Sequence, residues 1–234
     1  MAASERQGAI QREALGLPDG FDSSSLLPWD GIADVVSVLD VSPSSTFVDL
    51  GCGRGGYGLE IASRTGASLI GVDFSSVAIA VAESHVPPGS SARFVVGSLT
   101  ATGLDDAAVD AIVSVDAMQF AEPYVDGLRE CLRILVPGGR FVLTGWEPIG
   151  TPPENMPARL HRDIGAALRE AGFVDVTVRD MTRWRASERA LWTAAVASDP
   201  AGDPAVESLR EEGESVLSWI DANRRVMAFG RRPA

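Results

Sequence analysis

The sequence contains no lysine, only two cysteines and only two histidines among its 234 residues. Every basic side chain is therefore an arginine, and the 20 arginines are outnumbered by 32 acidic residues, which gives a net charge of −12. A non-specific nucleic-acid binder needs clustered basic residues, so we expect no nucleic-acid partner. Because histidine and cysteine are so scarce, no zinc-binding spacing or disulfide framework is visible, and we expect no metal site.

The sequence also lacks a long apolar run and a recognisable signal peptide. We therefore expect no membrane partner and a cytoplasmic location. Cys52 and Cys131 lie in a glycine-rich stretch and within a helical pattern, so they are interpreted as reduced packing residues. The length is typical of one domain with a substantial core, and we take residues 1–234 as that domain.

A glycine-rich stretch at residues 48–56 is the most informative feature that the sequence does contain. It reads Val-Asp-Leu-Gly-Cys-Gly-Arg-Gly-Gly and lies between a β-favouring run and a helical pattern. Glycines allow a close approach between backbone and ligand, and the start of a helix offers free N–H groups. Alone, the stretch also fits a dinucleotide-binding turn or an ordinary glycine turn. Asp49 favours a ligand with positive charge over a pyrophosphate.

Residues 49–55 resemble the first motif of the class I S-adenosylmethionine (SAM)-dependent methyltransferases, which reads roughly acid-x-Gly-x-Gly-x-Gly. The resemblance implies SAM as the cofactor. It also implies that SAM contacts the residues that match this motif: Asp49, Gly51, Cys52 and Gly53.

Two later strand ends extend the resemblance. Asp73 ends an apolar run about twenty residues after the glycines, where α/β nucleotide folds place an acid that binds ribose hydroxyls, although it also fits a helix cap. Phe74 then lies where it can pack on adenine, unless it belongs to the core. The turn after residues 92–96 carries Ser98 where the family often has an acid, so Ser98 is expected at the adenine amino group and Leu99 on the ring.

A fourth stretch, residues 110–120, reads as a central strand that ends in a loop. In the family this strand end lies beneath the methionine part of SAM. Val115 and Asp116 are therefore expected to contact the cofactor, while Gln119 and Phe120 are expected to reach the substrate. A turn or cap role for Asp116 fits equally well. The Pro-Gly-Gly stop at residues 137–139 is another feature shared with the family.

Alternating strand and helix patterns over residues 46–143 predict a doubly wound, parallel α/β sheet. The resemblance implies a Rossmann-like, mostly parallel seven-stranded sheet whose last strand is antiparallel. Residues 1–44 are expected to form a helical lead-in, and residues 183–223 a helical lid. Further expected elements are helices at 29–39, 124–135, 157–171, 188–198 and 205–223, and strands at 172–178 and 225–230.

The acceptor side is expected to involve Trp146 and the lid tryptophans Trp184, Trp192 and Trp219, which also fit as packing residues of the lid itself. His161 is the candidate general base, with Asp116, Tyr124 and Glu147 as weaker alternatives, although alignment of the reactants alone can suffice. The function predicted is methyl transfer from SAM to a small-molecule, specialised-metabolite type of acceptor. The alternatives are a SAM-binding protein that does not methylate, such as a cyclase, and thirdly a nicotinamide oxidoreductase.

Overall fold

A seven-stranded sheet forms the centre of the protein, in a computed structural model that describes residues 5–21 and 23–234. The strand order is β3-β2-β1-β4-β5-β7-β6. The strands are β1 (Thr46–Leu50), β2 (Ser68–Asp73), β3 (Ala92–Val96), β4 (Val109–Val115), β5 (Leu135–Pro148), β6 (Val174–Asp180) and β7 (Asn223–Arg231).

The first five strands are parallel, and β7 runs antiparallel to both of its neighbours, β5 and β6. Asp49 of β1 pairs in register with Gly71 of β2 and Val113 of β4. The carboxyl ends of these strands therefore meet at one edge of the sheet, as parallel pairing requires. The predicted doubly wound sheet with an antiparallel last strand is confirmed.

Helices cover both faces of the sheet. Alternate residues of β1 enter different clusters: Phe47 packs with residues of α2, α3 and α4, whereas Val48 packs with residues of α5 and α6. None of the helices within the described ranges is long and apolar enough to cross a membrane. The helices are α1 (Glu5–Leu15), α2 (Gly31–Leu39), α3 (Gly56–Thr65), α4 (Ser76–Ser84), α5 (Tyr124–Ile134), α6 (Ile164–Ala171), α7 (Thr182–Ala197) and α8 (Pro204–Leu217).

A third apolar cluster is separate from the two that cover the faces of the sheet. It joins residues of α1, α7 and α8 with the segment after α1, and α1 packs on α7 while α7 packs on α8. We call α7 and α8 the helical lid. Residues 1–4 and 22 of the predicted lead-in lie outside the described residues. The cluster includes three tryptophans and several leucines, among them Trp146, Trp192, Trp219, Leu26 and Leu160.

Capping residues explain where several helices begin. Asp163 accepts a hydrogen bond from the amide of Ala166, so α6 begins at Ile164 and not at residue 157 as predicted. Residues 158–160 form a short 3-10 turn instead. Asp203 caps α8 in the same way, with Pro204 in its first turn. The predicted lid helices differ in their bounds, since α7 begins at Thr182 and α8 ends at Leu217.

Candidate active site

The glycine loop after β1 is held against β2 by backbone hydrogen bonds. The amides of Gly51 and Cys52 both donate to the carbonyl of Val72, at 2.8 and 3.0 Å. Gly51 has a φ of +77°, and a Cβ at this position would lie 2.3 Å from the Cβ of Ala117. Both facts require glycine, because other residues rarely adopt this φ and a side chain would collide with the loop after β4.

Asp73 closes the glycine loop onto the end of β2. One carboxylate oxygen accepts the amide of Gly53 and the other accepts the amide of Ser75, each at 2.9 Å. The cap of α4 is Ser75, whose hydroxyl accepts the amide of Ala78. Each oxygen of Asp73 can accept a further hydrogen bond. The neighbouring Phe74 is 80% exposed and lines the same cavity, so it is a surface aromatic and not a core residue.

Asp49 lies deeper, with its carboxylate against α3. It is only 2% exposed, and the amide of Gly58 donates to it. Burial raises the pKa of Asp49 to about 7, with a smaller contribution from the negative charge of Asp73. Burial also raises the pKa of Cys52, which keeps its thiol protonated.

A cavity of about 790 Å³ runs from the glycine loop to the lid. A second cavity, of about 590 Å³, adjoins it because both are lined by Gly51, Gly53, Asp73 and Val115. Volumes of this size are typical of sites that bind small molecules and cofactors. The predicted cofactor residues all line one or both cavities: Asp49, Gly51, Cys52, Gly53, Asp73, Phe74, Ser98, Leu99, Val115 and Asp116.

Asp116, at the end of β4, is part of a buried ion-pair network. Its two oxygens accept hydrogen bonds from the two terminal nitrogens of Arg225, at 2.7 and 2.9 Å. The hydroxyl of Thr144 and the amide of Leu26 also donate to Asp116. Arg225 is fully buried on β7. These contacts also fix the segment before α2 to the sheet, since the hydroxyl of Ser25 donates to the carbonyl of Val115.

Glu188 brings a second carboxylate to this network from the lid. The indole N–H of Trp146 donates to both of its oxygens, at 2.9 and 3.0 Å, and that of Trp192 donates to Oε1 at 3.3 Å. Nε of Arg225 lies 3.5 Å from Oε2. Burial raises the pKa of Glu188, an effect that Arg225 opposes. Glu188 lines the larger cavity although it is only 2% exposed.

The lid end of the larger cavity is mostly aromatic. Trp146, Trp192 and Trp219 line it together with Leu160 and Val216. The guanidinium of Arg225 lies 4.0 Å from the ring centre of Trp146, so one face of this indole already contacts a cation. Exposed side chains line the part open to solvent: Phe120, Arg159 and Glu212.

Comparisons with known proteins identify a methyltransferase domain in part of the chain. Residues 48–143 match the model of a methyltransferase domain. The chain is 26% identical to a malonyl-acyl-carrier-protein O-methyltransferase from Methylococcus capsulatus over 204 residues, which is 82% of this chain and 73% of that relative. It spans about a third of two further relatives, 33% and 32% of their lengths.

Solved structures share the fold. The 4+2 cyclase SpnF superposes with a TM-score of 0.79 at 20% identity, over 97% of this chain and 92% of that one. A geranyl diphosphate methyltransferase in complex with SAM gives a TM-score of 0.70 at 21% identity and covers 94% of each chain.

Residues 48–143 thus carry a methyltransferase domain, and the relatives and solved structures support the predicted class I SAM-dependent methyltransferase. The predicted enzyme class and the predicted cofactor, SAM, are thereby confirmed. Within this methyltransferase, no cluster of three or more metal-ligating side chains occurs among residues 5–21 and 23–234.

The candidate base His161 lies outside the cavities of the methyltransferase. Its side chain is exposed, and Nε2 is 2.9 Å from the carbonyl oxygen of Met156. It follows the 3-10 turn at residues 158–160, so its neighbours Arg159 and Leu160 line the cavity while His161 does not. This placement argues against a direct role for His161 at the acceptor.

The other predicted acceptor-side residues separate into two groups. Gln119, Phe120 and Trp146 line the larger cavity. Trp184 does not, because it is fully buried in the core and its indole N–H donates to Asp34 at 3.1 Å. Trp184 therefore packs α7 against α2, and its predicted role as a wall of the acceptor pocket has no support in the structure.

Two weaker base candidates also have structural roles. Glu147 accepts the amide of Ile164 at 2.7 Å at the start of α6 and pairs with Arg224. Tyr124 is buried beneath the guanidinium of Arg162, which lies 4.4 Å from its ring centre. Neither residue lines the larger or the smaller cavity.

Sequence reasoning missed Glu188 and Arg225, two buried charged residues of the site. A signal for Glu188 was present: it lies midway between Trp184 and Trp192 at spacings of four, and such residues share one face of a helix. A carboxylate between two tryptophans on a buried face requires a partner. For Arg225 the corresponding signal is its position directly before the apolar run of β7.

Proposed function

We propose that the protein transfers the methyl group of SAM to a small-molecule acceptor held beneath the helical lid. The observation that carries this proposal is the continuity of the larger cavity. Asp73 and Phe74 line one end, and Trp146, Glu188 and Trp192 line the other, without a wall between them. A cofactor and an acceptor can thus meet inside one continuous cavity, which transfer between two bound molecules requires.

The residues at the cofactor end suit an adenosine group. The carboxylate of Asp73 has acceptor capacity for two adjacent hydroxyls after its two backbone contacts. Phe74 and Leu99 offer apolar surface on which the adenine ring can pack, and Ser98 lies in the same cavity lining as a polar partner for it. Asp49 lines the smaller cavity, where negative charge favours the ammonium of SAM.

SAM supplies, when bound, a methyl group on a positively charged sulfur that is a good leaving group. The protein then has to align the acceptor in line with that group and exclude water, and alignment alone can supply several kcal/mol. The Asp116–Arg225 pair stabilises the part of the cavity between the two ends. Its hydrogen bonds connect the end of β4 with β7 and with the segment before α2. The helical lid covers the acceptor end of this cavity with residues of α7 and α8.

Incubation with methyl-labelled SAM and an extract of small metabolites tests this function. We expect label in a compound of low molecular mass. Binding is checked separately by thermal unfolding: SAM or S-adenosylhomocysteine at a hundredfold its dissociation constant should stabilise the fold by about 2.7 kcal/mol, and NAD should not. Stabilisation by NAD but not by SAM would contradict the proposal.

The cyclase alternative has a specific observation in its favour, since the cyclase SpnF superposes over nearly the whole chain. The same labelling experiment separates the two functions. A cyclase that uses the fold as a scaffold converts its substrate without consuming SAM, whereas a methyltransferase produces one S-adenosylhomocysteine for each methylated product.

A further inference from the structure

The charges buried beneath the lid do not balance. Asp116 engages both terminal nitrogens of Arg225. Glu188 reaches only Nε of the same guanidinium, at 3.5 Å, and that Nε has no hydrogen-bond partner in the part of the chain that the structure describes. Two carboxylates therefore share one guanidinium, and the network is left with one negative charge in excess when both acids are ionised. All three side chains are at most 7% exposed.

The excess negative charge lies at the lid end of the larger cavity, where the acceptor is proposed to bind. Glu188 lines the larger cavity, and among the described residues its Oε2 accepts a hydrogen bond only from Trp146. A carboxylate oxygen has two acceptor positions, so Oε2 retains capacity for another donor. The indole N–H groups stabilise the carboxylate but bring no positive charge. The charged groups nearest to it are Arg225 and Asp116 of the network, while Glu212 adds another acid to the same cavity.

A buried carboxylate without a full counter-charge is strongly unfavourable, and a cationic ligand relieves this penalty. The walls around Glu188 favour such a ligand as well, because aromatic rings attract cations and Trp146 already contacts one in Arg225. An anionic acceptor, in contrast, would meet Glu188 and Glu212, and Arg159 is the one cation among the described residues that line this cavity.

We propose that the acceptor is a small molecule with a basic amine, and that Glu188 holds its nitrogen among Trp146, Trp192 and Trp219. This inference rests on the proposed methyl transfer. An amine that binds as an ammonium loses its proton to an oxygen of Glu188, and the nitrogen keeps the electron pair that bonds to the methyl carbon. Sulfur keeps the pair of the broken bond, so the positive charge passes from sulfur to the nitrogen facing Glu188.

The test compares three probes of one shape on the protein saturated with S-adenosylhomocysteine. Choline carries a trimethylammonium group, 3,3-dimethylbutan-1-ol is its neutral isostere, and 3,3-dimethylbutanoate carries the same tert-butyl group with a negative charge. Binding is followed by tryptophan fluorescence and calorimetry. We expect choline to bind at least about tenfold tighter than the alcohol, as cation–π contact and ion pairing together predict, and the carboxylate to bind most weakly.

Two variants assign the preference to its residue. Glu188→Gln should reduce the ratio of choline to alcohol affinity to within about threefold, whereas Glu211→Gln, an exposed carboxylate on α8 outside the cavity lining, should leave the ratio unchanged. Equal binding of choline and the alcohol to the wild type, or tighter binding of the carboxylate, would overturn the proposal even if Glu188→Gln failed to fold. The melting shift caused by S-adenosylhomocysteine reports the cofactor site independently, so failure of the amine proposal is distinguishable from failure of the methyltransferase proposal.

Discussion

The two ends of the larger cavity are built differently. The cofactor end consists of loops that directly follow β1, β2, β3 and β4, and its important groups are backbone amides and short side chains at strand ends. The acceptor end combines Leu26, Trp146 and residues of α7 and α8, which are far apart in the chain. Backbone geometry therefore determines the first end, and side-chain packing determines the second.

This difference has a consequence for charge. At the cofactor end, Asp73 accepts two backbone amides and Asp49 accepts one, and neither acid forms an ion pair within residues 5–21 and 23–234. Asp116, between the two ends, and Glu188, at the acceptor end, both depend on Arg225, a single residue from the last strand. Removal of the Arg225 side chain should therefore destabilise the acceptor end far more than removal of Asp49 or Asp73 destabilises the cofactor end.

Arg225→Met should have the largest effect. It leaves Asp116 and Glu188 buried without a counter-charge, and breaking a buried pair by removing one partner typically destabilises a protein by about 3–5 kcal/mol. The free energy of unfolding from urea denaturation is the measurement. Arg210→Gln is the matched control, because Arg210 pairs with Glu214 on the exposed face of α8 and should cost at most about 0.5 kcal/mol. If both variants lost a similar free energy of unfolding, the acceptor end would not depend on Arg225 in the way described.

The second prediction concerns the pH dependence of the cofactor end. Burial raises the pKa of Asp49 to about 7 in the folded protein, from about 3.9 in the unfolded chain. Between these values the folded state holds a proton that the unfolded state releases. The contribution of Asp49 to stability therefore falls as pH rises through this window, by at most about 1.4 kcal/mol per pH unit, and is constant above it.

Asp49→Asn should abolish this dependence. The measurement is the free energy of unfolding without ligand, at several values between about pH 4.5 and 8. The difference between wild type and variant should change steadily with pH and reach a plateau above the pKa, where the wild type is the less stable. Asp105→Asn replaces an exposed carboxylate and serves as the control. Parallel curves for wild type and Asp49→Asn would show that the carboxylate is not desolvated.

Asp73→Ala should weaken SAM binding by about 1.5–3 kcal/mol, the usual scale for hydrogen bonds to a charged group. Part of this loss comes through the glycine loop, since Asp73 also holds the amide of Gly53. Calorimetric titration with SAM is the measurement. Trp219→Phe at the acceptor end should change SAM affinity by no more than about 0.5 kcal/mol if the two ends are independent. A large effect of Trp219→Phe would show that they are coupled.

Two neighbouring glycines allow a finer comparison within the cofactor end. Gly51 and Gly53 both have positive φ, at +77° and +52°, but only a Cβ at Gly51 meets another residue. Gly51→Ala should therefore be less stable than Gly53→Ala by about 1–3 kcal/mol, the usual penalty for overpacking. Denaturation midpoints of the two variants test this difference. Equal stability would mean that the loop after β4 moves freely away from Gly51.

The cofactor end could be predicted from sequence because each of its parts is local. A strand, a glycine turn and a helix are contiguous in the chain, so the places of Gly51, Asp73 and Val115 at the ends of strands could be predicted from their neighbours. The acceptor end could not be predicted in this way. Whether Glu188 and Arg225 meet depends on how α7 packs on the sheet, and Trp184 and Trp192 lie on the same helix but contact different clusters.

His161 shows the same limit, because its predicted position depended on a helix from residue 157 that begins only at Ile164. The exposed imidazole contacts the carbonyl of Met156 and lines neither cavity. His161→Ala should therefore keep turnover within about tenfold of the wild type, since removal of a true general base lowers the rate by about 10²–10⁴. Single-turnover rates at saturating SAM, with the labelled acceptor, measure this effect.

Comparison with Glu188→Gln makes the last prediction decisive. If the acceptor is an amine whose proton goes to Glu188, this variant should lose turnover by about 10²-fold or more while His161→Ala does not. Any effect of His161→Ala should appear mainly in acceptor affinity, because the histidine holds the loop that carries Arg159 and Leu160 along the cavity. A thousandfold loss in a folded, SAM-binding His161→Ala protein would instead require the loop at residues 149–163 to rearrange when the acceptor binds and to bring the imidazole into the cavity.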